Sequence, residues 1–319
     1  MNSSTALALM ISACSAAAPP PTTVATAPCA ATSSTAPNST PEFVPPDQRG
    51  PRLIRIEGGD FEMGSNTGHD MEGPAHRVHV DTFYMDETEV TAGQYAQCVK
   101  AGVCAEQKTV LWDHLPPEGG PLARSETAQL AMENESCNLF RSGREDHPMN
   151  CVDWYQASRF CAWAFKRLPT EEEWEFAARG PEGRPYPWGN AEPTPDRANI
   201  CGEECESELK PRHIVGWGSS RQNWNDGFVT TAPVTAHFAG RTPTGLFGFG
   251  GNVKEWMNLP LCGYDSGLCI SQFRATRDIA WIAYDVLAAT LRSGGLTSWR
   301  YGFIGFRCAV TAPSAQPAK

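Results

Sequence analysis

The apolar pattern divides the chain into parts with different physical prospects. Residues 5–13 are mostly apolar and end in Ile11-Ser12-Ala13-Cys14, followed by Ser15. Residues 15–48 are rich in Ala, Pro, Ser and Thr, and no charged residue precedes Glu42. Such a segment buries too little surface to offset its ordering entropy, and its prolines keep it extended, so it reads as a disordered linker or stalk. Periodicity begins at residue 49. Leu53-Ile54-Arg55-Ile56 predicts a strand that Gly58-Gly59 turns, and the alternation from His76 to Met85 predicts a second, half-buried strand. Thr91 stands as the N-cap of a helix over 93–101, closed by Gly102. Asp153 caps another, with Trp154, Ala157, Phe160, Cys161, Ala164 and Phe165 at helical spacing. Thr170-Glu171-Glu172-Glu173 is a capping box, and its three carboxylates suit the positive end of a helix whose other end is Arg179-Gly180. That accounts for the Glu cluster structurally, without an acid/base role.

Beyond Pro181 the pattern fades into Gly, Pro, Trp and Asn, until 303–310 predicts a closing strand. A loop-rich stretch of that length needs covalent or metal staples to be stable. No repeat or linker interrupts 49–310, which predicts one domain there, with 311–319 as a disordered tail.

Composition narrows the function classes. The 319 residues carry 26 Lys and Arg against 36 Asp and Glu, a formal charge of −10. Nucleic acid and anionic membrane surfaces both call for a basic face, so neither is an expected partner. No stretch reaches the length of a membrane-spanning helix. Twelve cysteines point to an oxidising compartment with several disulfides rather than to zinc. His76 and His79 are an odd number apart on a predicted strand and face opposite ways, and Cys201-x3-Cys205 has no matching second pair. The segment ending at Cys14 resembles the signal sequence of a bacterial lipoprotein, which implies export to the cell envelope and acylation of Cys14. A membrane would then be met only through that anchor. No nucleophile elbow, phosphate-cradling loop or helical His pair for iron is found.

Several segments, taken in order, resemble the formylglycine-generating enzyme family, also called the sulfatase-modifying factor domain. They include Ile56-Glu57-Gly58-Gly59-Asp60-Phe61-Glu62-Met63-Gly64, Glu87-Thr88-Glu89-Val90-Thr91 and His147-Pro148-Met149-Asn150-Cys151-Val152-Asp153-Trp154. Leu168-Pro169-Thr170-Glu171-Glu172-Glu173-Trp174-Glu175-Phe176, Tyr186-Pro187-Trp188-Gly189, Gly251-Asn252-Val253-Lys254-Glu255-Trp256 and Gly305-Phe306-Arg307-Cys308 follow. The resemblance implies an α+β, C-type lectin-like fold with little regular structure, calcium-stabilised loops and chain ends brought together.

It also implies sites. Asn199, Ile200, Asp226 and Phe228 match the family's first calcium site, through two side-chain oxygens and two carbonyls, a mixture that calcium accepts. Gly251, Val253 and Glu255 match the second, weakened because Gly248 stands where an Asn or Asp oxygen is expected. Cys161 and Cys308 match a family disulfide. With Cys14 and Cys29 set aside, the simplest pairing of the rest is Cys98–Cys104, Cys137–Cys151, Cys201–Cys205 and Cys262–Cys269, with Cys104–Cys137 open as an alternative. Active members bind copper(I) through two cysteines, five residues apart, after an Arg-Gly-Gly-Ser segment. The comparable stretch here, Arg292-Ser293-Gly294-Gly295-Leu296-Thr297-Ser298-Trp299-Arg300-Tyr301-Gly302-Phe303-Ile304, has none, so copper is not expected.

The resulting expectation is an exported, lipid-anchored family member without copper oxidase activity. It would bind a protein, peptide or glycan, through aromatics among Trp217, Trp224, Phe247, Trp281 and Trp299. The alternatives are an oxidoreductase acting on a protein or peptide cysteine, with Cys262 and Cys269 as a rearranged pair, and a structural partner in an envelope complex.

Overall fold

The computed structural model describes residues 48–107, 109–111, 121–212, 224–283 and 288–313. Cys14, Cys29, the 15–47 stalk, Trp217 and the tail from 314 lie outside the described residues. Three small sheets organise the rest. Strand β1 (Leu53–Ile56) runs antiparallel to β4 (Phe83–Asp86), whose other edge takes β9 (Ala309–Thr311). Strands β2 (Gly59–Met63) and β3 (His76–Val80) form a second antiparallel pair. The third sheet has the order β7-β6-β5-β8, with β5 (Lys254–Cys262), β6 (Cys269–Arg277), β7 (Arg292–Leu296) and β8 (Ile304–Gly305).

Two expected strands are broken. The 76–85 strand is β3 and β4, which belong to different sheets. The chain turns at Thr82, whose hydroxyl accepts the Gly58 amide at 3.1 Å. A Cβ on Gly58 would lie 2.3 Å from the Val80 carbonyl, so the Gly58-Gly59 turn and this break are packed into one another. The 303–310 strand is likewise β8 and β9, parted where Arg307 turns into the core. Thr311 belongs to β9, so the tail begins after it.

The capped helices start where the pattern predicts: α1 (Ala92–Lys100) from Thr91, α3 (Trp154–Trp163) from Asp153 and α4 (Glu171–Arg179) from Thr170, but α3 ends at Trp163, so Phe165 lies beyond it at positive φ and exposed rather than on its apolar face. In α4 the Thr170 hydroxyl accepts the Glu173 amide at 3.2 Å, and the Glu173 carboxylate accepts the Thr170 amide at 2.9 Å. Two further carboxylates of α4 are held by arginines from the third sheet: Glu171 by Arg292 at 2.6 Å and Glu175 by Arg277. Two helices were not anticipated, α2 (Pro121–Ser136) and α5 (Glu203–Leu209), nor was the β5–β6 hairpin.

One apolar cluster packs α1 and α3 against Trp256, Ile304 and Phe306, and another packs α4 against β2, β4 and Phe249. All ten described cysteines are paired: Cys98–Cys104, Cys137–Cys151, Cys161–Cys308, Cys201–Cys205 and Cys262–Cys269. Cys104–Cys137 is therefore not adopted. Among the described residues no helix is long and apolar enough to cross a membrane.

Candidate cation loops and the sulfur-free segment

The two calcium-ligand sets expected from the sequence lie against each other. Asn199 forms a parallel bridge with Gly251, and its Nδ2 donates to Asn252 Oδ1 at 3.1 Å and to the Thr230 carbonyl at 2.9 Å. Asp226 joins the segments of the first set. Its Oδ2 accepts the Ile200 amide at 2.9 Å, and its Oδ1 accepts the Phe228 amide at 3.0 Å. Burial pushes the Asp226 carboxyl up to about 6, and the like charge of Glu204 adds to the effect. Asn199 Oδ1 is buried with no hydrogen-bond partner, as is Glu204 Oε2. A buried amide oxygen without a partner, in a loop that Asp226 ties together, suits a hard, oxygen-seeking cation, so the residues of the first set are of the kind that would hold calcium. Glu204 was missed in the sequence; its place between Cys201 and Cys205 was its one local signal. Among the described residues no three His, Cys, Asp or Glu side chains gather to hold a metal, so carbonyl and amide oxygens would have to take part.

The second set does not fit as the resemblance implies. Glu255 is wholly buried, and its carboxylate is taken up by Arg307 (2.7–3.0 Å) and by the Trp174 indole N–H (2.9 Å). Position 248 offers no side-chain oxygen, and its surroundings leave no room for one: a Cβ there would fall 2.3 Å from Glu89 Oε2. Glu89, also fully buried, accepts Asn252 Nδ2 on Oε1 at 2.9 Å, while its Oε2 has no partner. Burial pushes its carboxyl up to about 7; Arg307 opposes the shift and Glu255 adds to it. Asp278, across the loop, accepts the Gly251 and Ile279 amides, and burial raises its carboxyl well above the usual range.

The segment comparable to the copper site, 292–304, is β7, the turn that follows and the first residue of β8. A Cβ on Gly295 would meet the Trp256 ring at 2.7 Å, which explains the glycine there as close packing. No sulfur lies in the segment, and every described cysteine is in a disulfide. In place of thiols it carries a row of half-buried aromatic rings. Trp299 meets Phe273 at 6.2 Å and Tyr301 at 5.7 Å, and Tyr301 meets Phe303 at 4.8 Å. Nearby on the same sheet, the Arg274 guanidinium lies 4.7 Å from the Trp154 ring, which is edge-on to the exposed Tyr155. Three aromatics expected at a ligand surface are core instead: Trp224, Phe247 and Trp281 are 3%, 8% and 1% exposed. The Trp281 indole N–H donates to the Gly302 carbonyl, so it props the turn from beneath. Of that group, Trp299 alone is described as partly open.

With this geometry in place, comparison with known proteins is decisive. Residues 40–312 match the sulfatase-modifying factor enzyme 1-like domain. The chain belongs to this family. It is 31% identical over 288 residues to the inactive C-alpha-formylglycine-generating enzyme 2 of Bos taurus, covering 82% of this chain and 88% of that protein. It is 30% identical over 298 residues to the formylglycine-generating enzyme of Streptomyces coelicolor, covering 81% and 89%. Among solved structures it is similar to PvdO from Pseudomonas aeruginosa, with a TM-score of 0.58 at 21% identity over 86% of this chain and all of that one. The α+β fold expected from the resemblance is the fold observed. Identity alone does not separate a formylglycine-generating enzyme from an inactive relative, since both stand about equally near.

Proposed function

We propose that this family member is exported, anchored through Cys14, and works as a binding module without copper oxidase chemistry. The observation that carries the reading is the absence of sulfur from 292–304 in a domain whose described cysteines are all in disulfides. Copper(I) prefers thiolates, and none is offered there. Five disulfides in one domain favour an oxidising compartment, which supports export. Calcium at Asn199, Ile200, Asp226 and Phe228 would stiffen loops that carry little regular structure.

The ligand face in this reading is the aromatic row of Phe273, Trp299 and Tyr301 with Trp154, Tyr155 and Arg274. Flat rings and a guanidinium plane bind peptide side chains and the apolar faces of sugars alike. The test supplies copper and a cysteine-containing sulfatase peptide and follows oxygen consumption and aldehyde formation. No turnover above the protein-free rate is expected, and robust turnover would end the reading. Titration of free thiols on the folded chain separates it from a rearranged oxidoreductase. A reactive Cys262 and Cys269 would favour catalysis, and their continued pairing favours binding.

A further inference from the structure

A cleft of about 470 Å³ lies between one face of α1 and the 138–145 turn, and no residue of the calcium-ligand sets or of the aromatic row lines it. That volume is in the range of small-molecule sites. Ala92, Ala96 and Lys100, about a helical turn apart, share the α1 face with Gln97. At one end the turn closes onto the helix: the Gly93 amide donates to the Glu145 carbonyl at 2.8 Å, and a Cβ on Gly93 would lie 2.8 Å from that oxygen. Phe140 forms part of the opposite wall with a left-handed backbone, φ 58°, and is 47% exposed. A bulky residue seldom takes that conformation, and where one is held there the surroundings impose it, most often at ligand sites. Two further observations describe a ligand. Gln97 Oε1, on the lining, is buried and has no hydrogen-bond partner, so it calls for an N–H or O–H donor. Lys100 and Arg141 are both exposed on the lining, where Glu145 is the one acid, so the cleft carries one positive charge in excess.

We propose that this cleft binds a small monocarboxylic acid whose apolar body carries an N–H or O–H donor. The donor meets Gln97 Oε1, the carboxylate lies at Lys100 and Arg141, and the body rests on Ala92, Ala96 and the Phe140 ring. An N-acylated apolar amino acid is the simplest molecule with all three parts. The cleft shares no residue with the aromatic row, so the proposal goes beyond the binding-module reading and survives its failure.

The test is titration of the full chain with N-acetyl-L-phenylalanine, followed by ligand-observed NMR. A dissociation constant of about 1 mM or tighter is expected from a molecule of this size. Its methyl ester, which lacks the charge, and its N-methyl derivative, which lacks the donor, should each bind about tenfold more weakly. Two variants assign those losses to residues. Gln97→Leu should bind the acid and its N-methyl derivative equally, and Lys100→Glu with Arg141→Glu should bind the acid and its ester equally. No binding of the acid at about 5 mM overturns the proposal. So does an ester or N-methyl derivative that binds the parent chain as tightly as the acid, or a variant that keeps the parent's preference. If a variant does not fold, the three molecules compared on the parent chain decide, with the acid preferred over both derivatives as the supporting result.

Discussion

Removing the Cys161–Cys308 disulfide should cost far more than removing a local one, and the difference can be worked from sequence separation. The bond closes a separation of 147 residues, whereas Cys201–Cys205 closes only 4. In the chain-entropy account these correspond to about 5 and about 2 kcal/mol of restriction on the unfolded chain. Both pairs are essentially buried, so replacing each cysteine by alanine leaves a comparable gap and that contribution cancels. The predicted gap between Cys161→Ala/Cys308→Ala and Cys201→Ala/Cys205→Ala is therefore about 3 kcal/mol. With a urea slope of about 3 kcal/mol per molar, it appears as midpoints about 1 M apart. The assay is urea unfolding without reductant, followed by tryptophan fluorescence. Midpoints closer than about 0.3 M, or a larger loss from the short loop, would refute the entropic argument and place the energetics in native contacts instead.

Three further outcomes follow from the packing. Arg307→Met strands the Glu255 carboxylate in a site where neither group is exposed, and should cost about 3–5 kcal/mol. Adding Glu255→Gln should recover part of that loss in the same denaturant assay. Thr170→Ala removes the hydroxyl that caps α4 and should cost about 1 kcal/mol, read as a lowered melting temperature. His147 is pulled down to about 4 by burial, with Arg144 adding to the shift. Its contribution to stability is thus complete above about pH 6.5 and is lost as pH falls towards 4, by at most about 3 kcal/mol. His147→Gln should flatten that part of the pH–stability curve relative to the parent chain, and an unchanged slope would exclude His147 as its source.

The legible parts of the fold were those specified locally. Thr91, Asp153 and Thr170 each announce a helix by an interaction confined to one turn, and each helix starts where its cap stands. The β5–β6 hairpin escaped notice because its pairing is irregular, with register shifts between Trp256 and Leu261 and Pro260 inside the strand. Alternation is lost where a strand slips. The break between β3 and β4 was invisible for another reason: it depends on Gly58, more than twenty residues away. At the site, the sequence pointed to Gly248 as a deficiency. It could not point to Glu89 as the group filling the space, because nothing local connects the two. The aromatics erred in the same way, since Trp224, Phe247 and Trp281 in a loop-rich stretch look like surface until the loops fold over them.

Strand β4 has the first and last strands of the domain on its two flanks, and Cys308 stands immediately before the last of them. A pull on the C-terminal end can peel away the three residues of β9 and then meets a sulfur bond to α3. A pull on the N-terminal end must shear β1 along β4. The seam between the ends is therefore loaded unequally: one edge is locked by covalent chemistry, and the other resists through its backbone ladder, the buried Ile56 and the Arg52–Glu87 ion pair, none of them covalent. Under tension, or under trimming by an exopeptidase, the domain should yield from its amino end first.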